Sequence, residues 1–190
     1  MTATIRAERL DRFESQAMFR LLLETLSRPG TVGQLPLPGL GAAAVALALA
    51  DVETSVAVCG DELWAERIVR ATGASVATPE EAELVACCGP TDAAALRRLP
   101  RGTALAPELG AKVGIDCRHL HAGTAGETTL TLSGPGVPAS TTLGVDGLGS
   151  DVFDAVRSAN ADFPAGIDVW LIDDDGRIAG LPRTCQMVVS

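Results

Sequence analysis

The chain has 190 residues, of which 47% are apolar, and 24 acidic against 15 basic residues give it a net charge of −9. This negative balance argues against a nucleic-acid surface, where clustered Lys and Arg must displace counterions from phosphates. The longest apolar run, Leu40 to Ala50, is well short of the roughly 20 residues that span a bilayer. We therefore expect protein or small-molecule partners, and neither nucleic acid nor a membrane.

The N-terminal segment lacks the pattern of a signal peptide. Arg6, Arg9 and Arg12 are interleaved with Glu8 and Asp11, and no apolar stretch follows them. The cysteines are odd in number and form no CxxC pair, which is typical of reduced, mostly buried thiols. These cysteines are Cys59, Cys87, Cys88, Cys117 and Cys185. Both features predict a cytoplasmic protein.

The first predicted element is a helix from about Asp11 to Ser27, which ends before Pro29-Gly30 because proline cannot continue it. Its polar side is narrow, and most of its circumference is apolar. The polar positions are Gln16, Arg20, Glu24 and Ser27. A helix that packs on one sheet needs an apolar stripe only about 100° wide. The apolar surface of this helix is wider than one sheet can cover, which predicts that part of the helix faces a second chain.

The first half of the chain then alternates between helical and strand patterns. The predicted elements are a helix over 42–50, a strand over 55–59, a helix over 61–71 that Gly73 caps, a strand over 84–88 and a helix over 91–99. The second half is richer in strands. These are 111–117, 128–132 and 141–143, then a helix that Ser150 caps and that ends near Ala161, a hairpin over 167–172 and 177–181 with a turn at 174–176, and a strand over 185–189. This order predicts one α/β domain, residues 1–190, with a mixed sheet.

A loose glycine pattern, Gly39-Leu-Gly41-Ala-Ala-Ala44, lies about twenty residues before Asp61. A dinucleotide site has such a spacing, but its glycines directly follow a strand. Here Pro36 and Pro38 occupy that stretch and lack the N–H groups that a strand needs. We interpret the segment as a loop that enters a buried helix.

Two patterns offer metal ligands. Cys117, His119 and His121 alternate, so that on a strand all three would point to one side, but no fourth ligand for zinc follows. Asp173 to Gly176 is similar to part of a calcium loop, but Leu171 stands at the first ligand position. We predict no metal site and interpret the acidic segment as a turn.

Two further segments could hold an anion. Ser133-Gly-Pro-Gly136 follows a strand, but Pro135 has no N–H, and Gly-Pro pairs are typical of plain turns. Arg183 lies between two strands, where it could grip a phosphate in a bidentate manner. The alternative, which the residues favour, is that Arg183 pairs with a carboxylate at the end of the sheet.

Six segments spread along the chain together resemble the PhnH family. They are Phe19-Arg-Leu-Leu-Leu23 with Ser27-Arg-Pro-Gly30, Leu49-Ala-Asp51 with Thr54, residues 102–111 (GTALAPELGA), Leu132-Ser-Gly-Pro-Gly-Val137, Phe163-Pro-Ala-Gly-Ile-Asp168 and Pro182-Arg-Thr184. Each is modest alone, but together they keep their order and spacing. The cysteines and both histidines lie outside this pattern.

The resemblance implies a subunit of the carbon–phosphorus lyase complex, with PhnG, PhnI, PhnJ and PhnL as partners and a homodimer of its own. With PhnG, PhnI and PhnL, this family takes part in replacing the adenine of ATP by methylphosphonate, which gives ribose methylphosphonate triphosphate. It also implies a three-layer α/β/α fold that resembles the large domain of pyridoxal-phosphate transferases without the cofactor. Such a cofactor needs a lysine; the single lysine, Lys112, is not part of the family pattern, so no cofactor is expected.

Three hypotheses follow for the function. The first is a scaffolding or site-completing subunit without turnover in isolation. The second is a subunit that supplies groups to an active site, with Arg183 to hold phosphate and Glu108 or Thr103 to orient the ribose. The third is a free dinucleotide-binding enzyme.

Overall fold

The computed structural model describes residues 10–190. Residues 1–9, which contain most of the segment used to predict the absence of a signal peptide, lie outside the described part. The helices are α1 (Arg12–Ser27), α2 (Ala43–Leu49), α3 (Leu63–Thr72), α4 (Ala93–Leu96) and α5 (Ser150–Ala159), with a 3₁₀ turn over Pro107–Leu109. The strands are β1 (Gly33–Gln34), β2 (Ser55–Gly60), β3 (Ser75–Val76), β4 (Leu84–Cys88), β5 (Lys112–Asp116), β6 (His119–Ala122), β7 (Thr128–Ser133), β8 (Thr141–Asp146), β9 (Asp168–Ile172), β10 (Arg177–Leu181) and β11 (Gln186–Val189).

The strands form two sheets. The larger has the order β1-β10-β9-β5-β4-β2-β3. The strands from β9 to β3 are parallel to one another, and β10 pairs antiparallel with both β9 and β1. The smaller is antiparallel throughout, with the order β11-β7-β8-β6. The predicted mixed α/β sheet is therefore confirmed, but four strands of the second half, β6, β7, β8 and β11, build a sheet of their own.

Two apolar clusters cover the two faces of the larger sheet. Helices α1, α2 and α3 bury Met18, Leu22 and Ile68 on one face. The smaller sheet and the helices α4 and α5 bury side chains such as Leu130 and Phe153 on the other. The central strand β4 is buried along its whole length because its alternate side chains enter opposite clusters. The fold therefore has helices on one face and a second sheet with two helices on the other.

Helix α1 begins at a capping box, in which the Asp11 side chain accepts from the backbone N–H of Glu14 and Glu14 accepts from that of Asp11. The helix lies directly on β10 at Gly180, where an added Cβ would stand 2.6 Å from the carbonyl carbon and oxygen of Thr25. The indole of Trp170 donates to the carbonyl oxygen of Leu22 at 3.1 Å. These contacts fix which side of α1 faces the sheet.

Most elements predicted from periodicity are present within one or two residues of their expected ends, including the hairpin of β9 and β10. Three predictions were wrong in detail. Helix α4 covers only four residues; Ser150 is the first residue of α5, whose N-cap is Gly149; and Cys117 lies beyond β5. The strands β1 and β3 were missed because a pair of residues carries no periodic signal. The four-residue strand β6 was missed as well.

All five cysteines are free thiols, three of them buried and two half-buried. This agrees with the predicted reduced state. Among residues 10–190, no helix has the length and apolar character needed to cross a bilayer.

Candidate functional site

Five segments of the sequence pattern meet at the amino ends of the central parallel strands. Lys112 and Asp168 begin the neighbouring strands β5 and β9, and the residues that precede them come from the 102–111 and 163–168 segments. Arg183 follows β10, which runs antiparallel to β9 and therefore ends beside its start. Residues distant in sequence are thus brought to one edge of the sheet, which we call the amino edge.

Arg183 is the centre of this edge. Its Nη2 donates to Oδ2 of Asp168 at 2.7 Å, its Nε lies 3.2 Å from the same oxygen, and its Nη1 donates to the carbonyl oxygen of Pro107. The Arg183 backbone N–H also donates to Oδ1 of Asp168 at 2.9 Å. The two side chains are only 11% and 20% exposed. All three guanidinium nitrogens are therefore bound within the chain, as the alternative of a carboxylate partner anticipated.

The 102–111 and 163–168 segments are packed too closely for a side chain between them. A Cβ at Gly110 would lie 2.0 Å from the carbonyl oxygen of Gly166 and 2.8 Å from Nη1 of Arg183. The backbone N–H of Gly166 donates to the carbonyl oxygen of Arg101 at 2.7 Å. Glycine at position 110 is thus required by the approach of three segments, which explains its place in the pattern.

The same arrangement continues toward α1. The turn over residues 133–137 is a plain β-turn, with the Val137 N–H donating to the carbonyl oxygen of Gly134 at 3.1 Å, as predicted. Gly136 lies against Ser27 and Pro29, which end α1. The amino edge is therefore linked by direct contact to the C-terminal end of α1.

A cleft of about 540 Å³ opens beside Arg183, between α5 and the start of β11. Its wall is mainly apolar and includes Phe163 and Met187, with Asn160 and Gln186 as polar members. Arg157 lies at its rim and pairs with Asp154 at 2.7 Å. Phe163 and Arg183, which line this cleft, both belong to the segments of the sequence pattern.

Glu108 and Thr103 lie in the same segment but not in the cleft wall. Both are exposed. Thr103 Oγ1 accepts from the Ala106 N–H at 3.0 Å and so shapes a turn, and the carbonyl oxygen of Glu108 accepts from Nζ of Lys112 at 2.7 Å. The structure therefore brings Arg183 to the backbone of this segment, next to Glu108, but does not gather the three side chains around one point.

The opposite, carboxyl edge of the parallel strands holds acidic side chains. Asp116, at the end of β5, accepts from the N–H groups of Ala42 at 2.6 Å and Gly89 at 3.1 Å. Burial raises the pKa of the Asp116 carboxyl above its ordinary value, and these two hydrogen bonds only partly oppose that effect. In the glycine pattern before α2, the Ala42 N–H therefore binds a carboxylate of the chain itself, at the place where a dinucleotide site would bind a phosphate.

The three alternating residues Cys117, His119 and His121 do not share a site. Cys117 is buried in the apolar core, where burial raises the pKa of its thiol. His121 bonds through Nε2 to Oδ2 of Asp146 at 3.1 Å, and this hydrogen bond holds the pKa of Asp146 below its ordinary value. The alternation failed as a ligand pattern because the chain leaves the strand geometry between β5 and β6.

Comparison with known proteins gives a family for the chain. The model of the family described as bacterial phosphonate metabolism protein (PhnH) matches residues 10–188. The chain belongs to the PhnH family. A relative from Stutzerimonas stutzeri that bears the name C-P lyase subunit protein HtxG is 32% identical over 174 residues, covering 90% of this chain and 85% of that protein.

In this PhnH-family chain, sequence reasoning missed Asp168 as the partner of Arg183, although both residues stood in the segments that carry the resemblance. A signal was present, because a carboxylate at the start of one hairpin strand and an arginine just past the end of the other must be neighbours. Leu181 pairs with Val169 in this hairpin, which places Arg183 beside Asp168.

Proposed function

We propose that this chain is a subunit of a carbon–phosphorus lyase complex and has no turnover of its own. The family match to phosphonate metabolism and the name of the HtxG relative support membership of such a complex. The observation that carries the proposal is an apolar face of α1 that no part of residues 10–190 covers. The internal pairing of Arg183 supports the absence of independent catalysis, because its guanidinium is already bound.

The proposed reaction is the transfer of the ribose triphosphate of ATP to methylphosphonate, carried out together with PhnG, PhnI and PhnL, with PhnJ in the same complex. We further propose a cytoplasmic location, which the five free thiols support. We propose one domain over residues 1–190, since both apolar clusters share the larger sheet. A three-layer α/β/α fold like that of pyridoxal-phosphate transferases, without the cofactor, remains a proposal from the resemblance.

The exposed face of α1 is built from large apolar side chains. Phe13 is 79% exposed, Leu23 53% and Phe19 45%. On the adjacent face of the same helix, Met18 and Leu22 are fully buried against the sheet. Positions 19 and 23 lie one turn apart and are therefore neighbours on the helix surface. Phe19 and Leu23 therefore form an exposed apolar patch, which is typical of an interaction site.

The occupant that we propose for this patch is another subunit of the complex, not a second copy of this chain. Arg20 lies beside the patch and has no acidic partner among the residues that the structure describes. A second copy in an antiparallel helix pair would bring two Arg20 guanidinium groups close together, and like charges at an interface disfavour it. A partner with acidic side chains around an apolar pocket satisfies both features.

The double variant Phe19→Asp, Leu23→Asp tests this surface. We expect its affinity for the PhnI-containing complex to fall at least about tenfold, because apolar side chains at the centre of an interface carry much of the binding energy. The measurement is co-purification from cells grown on a phosphonate, quantified against the tagged wild type. Val76→Asp, at the far edge of the larger sheet and equally exposed, is the matched control and should co-purify normally.

Undiminished co-purification of the double variant would contradict the proposed surface. The oligomeric state of each variant, measured by light scattering, identifies the occupant. If the double variant turns a wild-type homodimer into a monomer, the patch holds a second copy instead. The function itself is tested by assaying the complex with and without this chain; turnover of ATP and methylphosphonate by the isolated chain would exclude a non-catalytic subunit.

A second candidate is a subunit that supplies side chains to the shared active site. The observation that favours it is the exposure of Glu108 and Thr103 in the segment that Arg183 holds in place. Glu108→Gln should then abolish turnover of the assembled complex without loss of assembly. Retained turnover would leave the first candidate.

A further inference from the structure

The carboxyl edge brings together two sequence patterns that had no role when taken separately. His119 opens β6, Asp173 follows β9 directly, and Asp175 lies in the hairpin turn before β10. One potential ligand atom of each of these three residues lies within 4.8 Å of the other two. The cluster combines an imidazole from the smaller sheet with two carboxylates from the larger one, on the side opposite the amino edge.

Asp173 is held rigidly in this cluster. It is 4% exposed, and its Oδ1 accepts from the N–H groups of Asp175 at 3.0 Å and Arg177 at 2.7 Å. Its Oδ2 accepts from the N–H of Leu120 at 3.0 Å. A carboxylate offers about four lone pairs, so three hydrogen bonds leave one for a cation. Carboxylates that bind metal ions are commonly held by hydrogen bonds in this way.

The bond from Leu120 also positions His119, because it ties β6 to the turn at the residue next to the histidine. Neither ring nitrogen of His119 has a hydrogen-bond partner in the part of the chain that the structure describes, although the side chain is half-buried. The other histidine, His121, is bonded to Asp146. The two imidazoles on β6 therefore differ, because His121 has a hydrogen-bond partner within the described chain and His119 has none.

A cavity of about 200 Å³ borders the cluster and is lined by Gly41, Trp64, Asp116, Asp173 and Asp174, among others. The additional carboxylates make the surroundings negative, which favours a cation. Of the three residues in the cluster, Asp173 lines this cavity.

We propose that His119, Asp173 and Asp175 bind a divalent first-row transition-metal ion. The imidazole nitrogen selects this class over Ca²⁺ and Mg²⁺, which take oxygen ligands almost alone. The site is independent of the proposed subunit function, since it lies at the opposite edge of the sheet from the family segments that meet at Arg183.

The test uses the full-length chain, stripped of metal with a chelator and titrated with Co²⁺ and Zn²⁺. Visible absorption follows Co²⁺ and calorimetry follows Zn²⁺. Since the chain has two histidines, imidazole nitrogen NMR assigns the ligand directly. We expect one equivalent bound with a Kd of about 10 μM or tighter, and a shift of one imidazole only.

Three variants separate this site from general surface binding. His119→Ala and Asp175→Ala should each weaken binding at least about tenfold, as the loss of a ligand demands. His121→Ala, on the same strand, is the matched control and should bind within about threefold of the wild type. Asp175 is exposed, so its variant keeps the fold even where a change at Asp173 would disturb the turn.

Absence of binding by the wild type at millimolar metal would overturn the proposal. So would equal binding by His119→Ala and the wild type, because His119 would then not be a ligand. An equal loss in His121→Ala would also overturn it, because the ion would then bind both imidazoles of β6 and not the turn.

Discussion

Arg183→Ala is expected to lower the free energy of unfolding by about 3 kcal/mol, because it leaves the largely buried Asp168 carboxylate without its cationic partner. It also removes the hydrogen bond that ties the 102–111 segment to β10. Urea unfolding followed by circular dichroism measures the change. Arg183→Lys keeps the charge but cannot bind Asp168 and Pro107 together, and should fall between the wild type and the alanine variant.

The matched control for this prediction is Arg157→Ala on the other side of the cleft. Arg157 is 58% exposed and its partner Asp154 is 46% exposed, so its loss should cost no more than about 1 kcal/mol. A stable Arg183→Ala variant that assembles but blocks turnover of the complex would contradict a structural role. Arg183 would then have to act on a substrate phosphate.

Leu22→Ala is expected to lower the free energy of unfolding by about 3 kcal/mol, since a fully buried leucine leaves a cavity between α1 and the larger sheet. The adjacent Leu23→Ala, at a side chain that is 53% exposed, should change stability by less than about 0.5 kcal/mol. Urea unfolding followed by the fluorescence of the buried Trp170 measures both. Leu23→Ala should instead weaken co-purification with the complex.

This pair of neighbours tests the orientation of α1 as well as its stability. If the two variants lost stability equally, the helix would not present one side to the sheet and the other to a partner. If only Leu23→Ala failed to co-purify, one face of α1 would stabilise the fold and the adjacent face would bind the partner.

Local patterns in the sequence predicted most of the elements but little of their assembly. The apolar surplus of the 11–27 segment predicted a helix that the rest of the chain does not cover, and the structure leaves Phe13, Phe19 and Leu23 exposed. Helix α4 was predicted too long because alanine has a high helix propensity, whereas the chain after Leu96 continues in tight turns, with the Arg98 N–H donating to the carbonyl oxygen of Ala95 at 3.0 Å. The separate smaller sheet could not be predicted, since alternation shows that a strand exists but not which strand it joins.

For the candidate sites too, the sequence indicated single residues but not the residues that they contact. Arg183 was found by its position between strands, but Asp168 was not named as its partner, because the pair depends on hairpin register. His119 was grouped with Cys117 and His121 by spacing along the chain. Its actual neighbours are Asp173 and Asp175, more than fifty residues away, which only the meeting of the two sheets brings within reach.

The shortness of β1 and β3 restricts how this protein can assemble. Each edge strand of the larger sheet contains two residues. Within the described chain these edges therefore offer few unpaired N–H and C=O groups with which a strand of another protein could pair. Joining through main-chain pairing is therefore disfavoured there. Association at the margins of the larger sheet must rely on side-chain surfaces instead, where single substitutions can weaken or abolish recognition without altering the fold.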